Sequence, residues 1–284
     1  MAVYVINYAD GEVFERNQKY CSWSAKYIGR ADKVIEFSSK DIPDSYRKKN
    51  ASIFQYKRGG GLWLWKPYII TKTLHNINDG DWVLYVDSGS LFISDINKLI
   101  NCAISNNSEI MLFEQPTLNR QFCKREVFEL LGIVDHGENQ TLGFLLLKNS
   151  DQTRKLMHEW LSLCEREELI SPNKFYPEIQ EFSDFYSHRE DQSILSLLRL
   201  KHNIPVFRDC SDYGYFTYEY YNPKWTYNPL KYKNSNYGTI FLCNRKSHPI
   251  KYLFYYIAKR CLNFIGFYTE EWKIKRVNNR FINN

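Results

Sequence analysis

Three stretches of the chain carry residue types that could do chemistry on an anionic ligand. In the first, the apolar run Trp82-Val83-Leu84-Tyr85-Val86 breaks at Asp87-Ser88-Gly89-Ser90. A carboxylate at the end of a buried strand, followed at once by small residues, lies where open α/β sheets place their ligands. It can hold a hard divalent cation, and Ser88 and Gly89 let a bulky anion approach the backbone. The plainer alternative for Asp87 is a turn or cap aspartate. The acidic pair Asp79 and Asp81 precedes the strand and reads as a solvated turn on the opposite edge. In the second stretch, Lys57-Arg58-Gly59-Gly60-Gly61 leads into Leu62-Trp63-Leu64-Trp65-Lys66-Pro67. Three glycines in a row mark either a tight approach or a mobile loop. Cations beside them, at the start of a helix, suit a diphosphate. The segment is no Walker loop, because the Gly-Lys-Ser/Thr ending is missing. In the third, His188-Arg189-Glu190-Asp191-Gln192-Ser193 opens a helix; Asp191 and Gln192 either cap it or face a ligand at the sheet edge.

These residues need a scaffold, and the hydrophobic pattern supplies one. Ala2–Tyr8 predicts a buried strand, residues 15–30 a helix, and Lys33–Phe37 a second strand. Strand, helix, strand at this spacing argues for a mostly parallel sheet. Further strands are expected at 109–113, 140–147 and 204–207, and helices at 95–106, 123–131 and 151–168. Leu156, Trp160, Leu163 and Cys164 share one face of the last of these. Residues 41–56, 171–184 and 209–238 read as loop-rich, the last with eight tyrosines in thirty residues. The expected fold is α/β, a single mostly parallel central sheet flanked by helices. One domain runs to about residue 245, and 246–284 form a basic, aromatic C-terminal tail.

Composition narrows the function classes. Seven scattered cysteines without a Cys-x-x-Cys pair argue against a zinc site or a disulfide framework and for reduced thiols in a cytoplasmic compartment. The start of the chain has neither a basic leader nor an apolar run long enough for a signal peptide, and no stretch of about 20 apolar residues follows. From Arg245 onward, nine Lys and Arg face only Glu270 and Glu271, so the net charge of +6 belongs to the tail. Tyr252–Tyr268 mixes aromatic and aliphatic residues with Lys259 and Arg260. It suits an interfacial helix on an anionic inner membrane face, or a helix packed on the domain. No nucleic-acid motif accompanies the charge.

In order, Arg58-Gly-Gly-Gly-Leu-Trp-Leu-Trp-Lys-Pro67, Gly80-Asp-Trp-Val-Leu-Tyr-Val-Asp-Ser-Gly89, Gln140-Thr-Leu-Gly-Phe144, Glu159-Trp-Leu161 and His188–Ser193 resemble blocks of bacterial capsule and lipopolysaccharide O-antigen glycosyltransferases with the GT-A fold. The resemblance covers residues 2 to 215 and leaves the tail outside. It implies a nucleotide-sugar donor such as a UDP-sugar, a glycan or lipid-linked oligosaccharide acceptor, and a Mn²⁺ or Mg²⁺ cofactor. The implied donor site draws on Tyr8, Asp10, Lys57, Arg58, Gly60, Trp65, Lys66, Asp87, Ser88, Gly89, Gln140 and His188. Asp87 takes the first place of an Asp-x-Asp motif, and Gly89 stands where the second Asp belongs. His248 is a further candidate metal ligand by analogy with glycogenin-like enzymes. That analogy gives Asp191 and Gln192 a place beside the donor sugar, whereas an inverting reaction would use Asp191 or Glu114 as general base. Two rivals are a carbohydrate- or nucleotide-sugar-binding protein without turnover and a sugar nucleotidyltransferase. The second expects a glycine-rich loop after the first strand, and Tyr8-Ala9-Asp10-Gly11 is poor in glycine.

Overall fold

A computed structural model describes residues 1–282. Six strands form the central sheet: β1 (Val3–Tyr8), β2 (Lys33–Phe37), β3 (Trp82–Tyr85), β5 (Ile110–Leu118), β6 (Asn139–Lys148) and β7 (Val206–Arg208). They lie in the order β2-β1-β3-β6-β5-β7. The pairings β1–β2, β1–β3 and β5–β7 are parallel, while β6 runs antiparallel to both β3 and β5. The sheet is therefore mostly parallel, as expected, with one strand reversed in its middle. Beside this single central sheet lies a small two-stranded one in which β4 (Ser90–Phe92) pairs antiparallel with β8 (Phe241–Cys243). It returns the chain after residue 240 to the Asp87 turn.

Period-two alternation sorts side chains to the two faces of the sheet. Tyr4, Ile6, Val83, Tyr85, Leu112, Leu145 and Leu147 point to one face. Helices α2 (Trp65–His75), α5 (Asp151–Cys164) and α6 (Glu190–Lys201) cover it through Ile69, Ile70, Trp160, Ile194 and Leu198. Val3, Val5, Leu84, Met111, Phe113 and Leu146 point to the other. There they meet α1 (Glu12–Tyr27), α3 (Asn97–Ser105) and the segment that includes Tyr237 and Phe241. Helix α4 (Arg125–Leu131) packs at the rim. β5 continues to Leu118, past the predicted end at residue 113, because Glu114, Gln115 and Thr117 are buried as polar residues. A hydrophobic pattern cannot mark a strand of that kind.

The C-terminal segment forms two helices, α7 (Pro249–Phe264) and α8 (Glu270–Ile282). Tyr256 and Tyr268 join Leu91, Phe216, Tyr218 and Leu242 in a third cluster that ties the tail to the small sheet. Buried Lys259 sits 2.5 Å from Glu219, and Lys273 holds the other Glu219 oxygen at 2.5 Å. Burial would raise the Glu219 carboxyl, yet the two ammonium groups and the Tyr268 hydroxyl outweigh it and hold the pKa down at about 2. The tail is thus locked to the domain on one side. Its other side leaves Phe254, Tyr255, Ile257, Phe264, Ile265 and Phe267 in solvent, Phe264 at 90% exposure.

Candidate active site

β1 and β3 are parallel neighbours, so their carboxyl ends open on the same edge of the sheet. Their register pairs Ile6 with Tyr85. Two residues beyond that pair lie Tyr8 on β1 and Asp87 on the chain leaving β3. In the antiparallel partner, Tyr85 faces Leu145, and the same two steps lead to Gly143. Asp87 is exposed at this point and accepts a hydrogen bond from the Tyr85 hydroxyl at 3.0 Å. Ser88 and Gly89 behind it are buried.

Lys66 comes from the first turn of α2, and its ammonium lies 3.0 Å from Asp191 Oδ2 at the start of α6; both side chains are almost wholly buried. Gly143 makes room for the pair, since a Cβ there would stand 2.9 Å from Lys66 Nζ. Burial pulls the Lys66 pKa down, but the Asp191 and Asp87 carboxylates more than offset it, and the net shift is upward. Burial raises the Asp191 carboxyl against the pull of Lys66. The contact is a buried ion pair, and no donor other than Lys66 reaches Asp191 Oδ2, so one of its acceptor lobes is open.

The glycine-rich segment is a tight turn. Gly59, Gly60, Gly61, Leu62 and Trp63 all have φ between 54° and 95°, which makes a short run of left-handed backbone. A Cβ on Gly59 would strike the Trp63 ring, and one on Gly61 the Phe54 ring, so both positions exclude a side chain. Leu62 and Trp63 hold this conformation at roughly 1–2 kcal/mol each. Two further non-glycine residues with positive φ border the same region, Glu190 at 39° and Arg245 at 52°. Strain gathered this way is a mark of functional sites. The turn brings Trp65 onto Tyr8, with the rings stacked 3.7 Å apart, and Trp65 Nε1 donates to the Gly59 carbonyl at 2.8 Å. Burial and nearby Asp10 push the Tyr8 hydroxyl up to about 12. Asp10 and Gly60 are exposed at the same rim.

Other residues singled out in the sequence hold the site from behind. Gln140 Oε1 accepts from Gln115 Nε2 at 2.7 Å and from Arg189 Nη1 and Gln192 Nε2 at 3.3 Å each. Gln192 Nε2 also donates to the Thr141 carbonyl at 2.7 Å. Both amides therefore fix the start of α6 against β6. His188 is buried and its Nδ1 accepts from the Lys124 backbone N–H at 3.3 Å. Burial, with help from the Lys124 charge, depresses its pKa to about 3. Glu114 is buried against Arg199, 3.2 Å away, and so belongs to a different ion pair from Asp191. Arg58 is engaged by Glu190 at 2.5 Å. Lys57 is exposed and has no ion pair among the described residues.

The residues present do not form a metal shell. Gly89 brings no ligand and has no room for one: a Cβ there would lie 2.5–2.9 Å from the backbone of Arg245, whose N–H donates to the Gly89 carbonyl. His248 is exposed, with Nε2 3.5 Å from the Tyr20 hydroxyl. No group of three or more His, Cys, Asp or Glu is disposed to hold an ion among the described residues, whereas Mn²⁺ or Mg²⁺ wants about six hard ligands.

Two arginines carried no role in the sequence reading, and the fold brings them to this edge. Arg189 Cζ sits 3.9 Å from the Phe122 ring centroid. Arg245 lies over Tyr213, whose ring is 5.2 Å from that of Tyr220. Arg189 stands two residues before Asp191 in sequence and could have drawn notice as the one arginine of its block. Nothing in the sequence connects Arg245 to Gly89.

No family model matches the chain, and no curated protein is similar to it in sequence. Several solved structures are similar in shape. Mouse xyloside xylosyltransferase 1 is 10% identical, with a TM-score of 0.47 over 86% of this chain and 97% of that one. The galactosyltransferase LgtC, solved with donor and acceptor sugar analogues, is 15% identical, with a TM-score of 0.42 over 85% and 87%. A glycosyltransferase involved in glycosylation of the major capsid of PBCV-1 is 10% identical, with a TM-score of 0.41 over 91% and 100%.

Proposed function

We propose that the chain is a glycosyltransferase. It moves a sugar from a nucleotide-diphosphate donor, a UDP-sugar first, to a surface glycan growing on a lipid carrier. The observation that carries this reading is the buried Lys66–Asp191 pair set behind exposed Asp87 at the carboxyl edge of β1 and β3. In open α/β sheets that edge is where nucleotides bind. In the transfer, the bond between the anomeric carbon and the diphosphate oxygen breaks and the acceptor oxygen takes its place. The acceptor hydroxyl passes its proton to the departing diphosphate oxygen. Asp191, with an unfilled acceptor lobe, orients the donor sugar and answers positive charge at the anomeric carbon. Lys66 keeps Asp191 in place and favours its ionised form. Asp87 meets the donor's ribose hydroxyls. Tyr8, Trp65, Asp10 and Gly60 border the nucleotide, and Gln140, Gln192 and His188 position the elements around it.

Purified protein offered a panel of nucleotide sugars with a lipid-linked acceptor, and scored for nucleotide release, tests the reading. Release from one donor, lost in Asp191→Asn, is the expected result. Binding of a donor with no release under any acceptor would leave a non-catalytic binding protein instead, and pyrophosphate-dependent formation of a nucleotide sugar would leave a nucleotidyltransferase. The exposed aromatic side of α7, with Lys251, Arg260, Lys275 and Arg276 in the same tail, fits an anionic membrane surface where the lipid carrier resides. No helix among the described residues is long and apolar enough to cross a membrane. Flotation with phosphatidylglycerol vesicles checks this part: Phe254→Asp/Phe264→Asp should lose the vesicles, and equal flotation would remove the tail from the membrane.

A further inference from the structure

Departure of a diphosphate needs positive charge, and two of the three cations first noted in the sequence are engaged elsewhere, with Lys57 exposed outside the buried part of the site. Arg58 is held by Glu190 and Lys66 by Asp191. Arg189 and Arg245 differ. Among the described residues neither has a carboxylate within ion-pair distance. Arg189 spends one N–H on Gln140 Oε1 and rests its guanidinium face on Phe122, which leaves most of its five donors uncommitted. Arg245 stacks on Tyr213 and is otherwise open to solvent. Leaving a half-buried guanidinium without an anion is unfavourable unless a ligand supplies one.

Arg245 is also placed with care. Its N–H donates to the Gly89 carbonyl at 3.0 Å. Its own carbonyl accepts from Asn17 Nδ2 at 2.7 Å, and the same amide takes the Ser247 carbonyl at 3.1 Å. Asn17 is fully buried on α1, so the clamp is rigid, and it holds Arg245 at a left-handed φ of 52°. The backbone of Arg245 fills the space that a side chain at position 89 would need. The backbone at 245 therefore excludes a second aspartate from the Asp87 turn.

We propose that Arg189 and Arg245 form a diphosphate-binding pair that does the work of a divalent cation in this site. The pair deepens the transferase reading and rests on it for the identity of the diphosphate. Each arginine is placed at the site by geometry, Arg245 through its backbone bond to Gly89 in the Asp87 turn and Arg189 through Gln140 and its position two residues before Asp191. Burial lowers the Arg189 guanidinium to about 10, while Tyr220 and Glu190 offset the repulsion of Arg245 and Arg58. A bound polyanion would offset the cost of that burial. Arginine suits the task through its planar fork of donors, which matches phosphate oxygens in pairs.

The test uses inorganic pyrophosphate and UDP as probes, titrated calorimetrically into the full chain in EDTA. Wild-type protein should bind both without metal, and added Mn²⁺ or Mg²⁺ should change the dissociation constant less than about threefold. Arg189→Gln and Arg245→Gln should each weaken binding at least tenfold. Arg189→Lys should recover only part of the loss, because it restores charge but not the fork. Arg245→Gln lies on the surface and keeps its backbone clamp, so a folded variant is available even if Arg189→Gln fails to fold. Metal-dependent binding, or unchanged affinity in Arg245→Gln, would overturn the proposal. Pyrophosphate binding through the arginines with no sugar transfer from any donor would sink the transferase reading and leave this pair standing. Transfer abolished by EDTA and indifferent to Arg245 would do the reverse.

Discussion

Replacing Lys66 by methionine is the perturbation with the clearest physical consequence. Methionine keeps most of the side-chain volume, so packing against Tyr85 and Gly143 is nearly preserved, and the lost quantity is the charge beside Asp191. The Asp191 side chain is 4% exposed and its nearest cation is Lys66 at 3.0 Å. Removing one partner of a buried pair leaves an uncompensated charge and costs about 3–5 kcal/mol. For a chain of this size that corresponds to a fall in Tm of roughly 6–20 °C. The partner variant, Asp191→Leu, should cost less, because exposed Asp87 still faces the ammonium. The double variant Lys66→Met/Asp191→Leu removes both charges and should return to within about 1–2 kcal/mol of wild type, as apolar replacements of buried pairs often do. Urea unfolding of the four proteins yields the coupling energy directly. The double variant also separates folding from chemistry: it should be folded and without transfer activity. A Lys66→Met protein within about 1 kcal/mol of wild type would refute the claim that the pair is desolvated, and wild-type turnover in the folded double variant would remove the pair from the reaction.

Three further outcomes follow from single contacts. Asp87→Asn changes an exposed side chain whose hydrogen bond is to Tyr85, so Tm should move by no more than a few degrees, as surface changes of about 0.5 kcal/mol do; nucleotide release should fall about 100-fold or more, and undiminished release would take Asp87 out of the site. Gly89→Asp, which restores the second acidic residue of the resembled motif, should destabilise by about 1–3 kcal/mol through collision with the Arg245 backbone and should not create metal-dependent turnover; a stable, metal-activated variant would contradict the packing described. His188 has its pKa depressed from 6.5 to about 3. A depressed folded-state pKa gives stability that is present above pH 6.5 and lost as pH falls from there toward 3. Thermal unfolding between pH 7 and 4.5 should therefore decline more steeply for wild type than for His188→Gln, and parallel curves would count against a buried neutral imidazole.

The elements of this protein were legible where local chemistry is one-sided. Val3–Tyr8 and Trp82–Tyr85 are short β-branched and aromatic runs bounded by turn residues, and such runs become strands in almost any context. The chain break after Val86 placed Asp87 at a strand end, and the block His188–Ser193 announced a crowded helix start. Direction and partnership were another matter. The run Leu142–Leu147 is apolar on both faces, and such a run fits equally well parallel or antiparallel to its neighbours; β6 reverses because of what it packs between, which only the assembled sheet decides. Glu114–Leu118 stayed hidden because its polar residues are buried. The Lys66–Asp191 pair joins residues 125 positions apart, and the function of Gly89 depends on the return of the chain at Arg245. Sequence determines which groups are available and how each segment prefers to bend, since those are properties of neighbours along the chain. Which charges become desolvated together is a property of neighbours in space, and it appears only when the sheet, α6 and the segment after β8 meet at one edge.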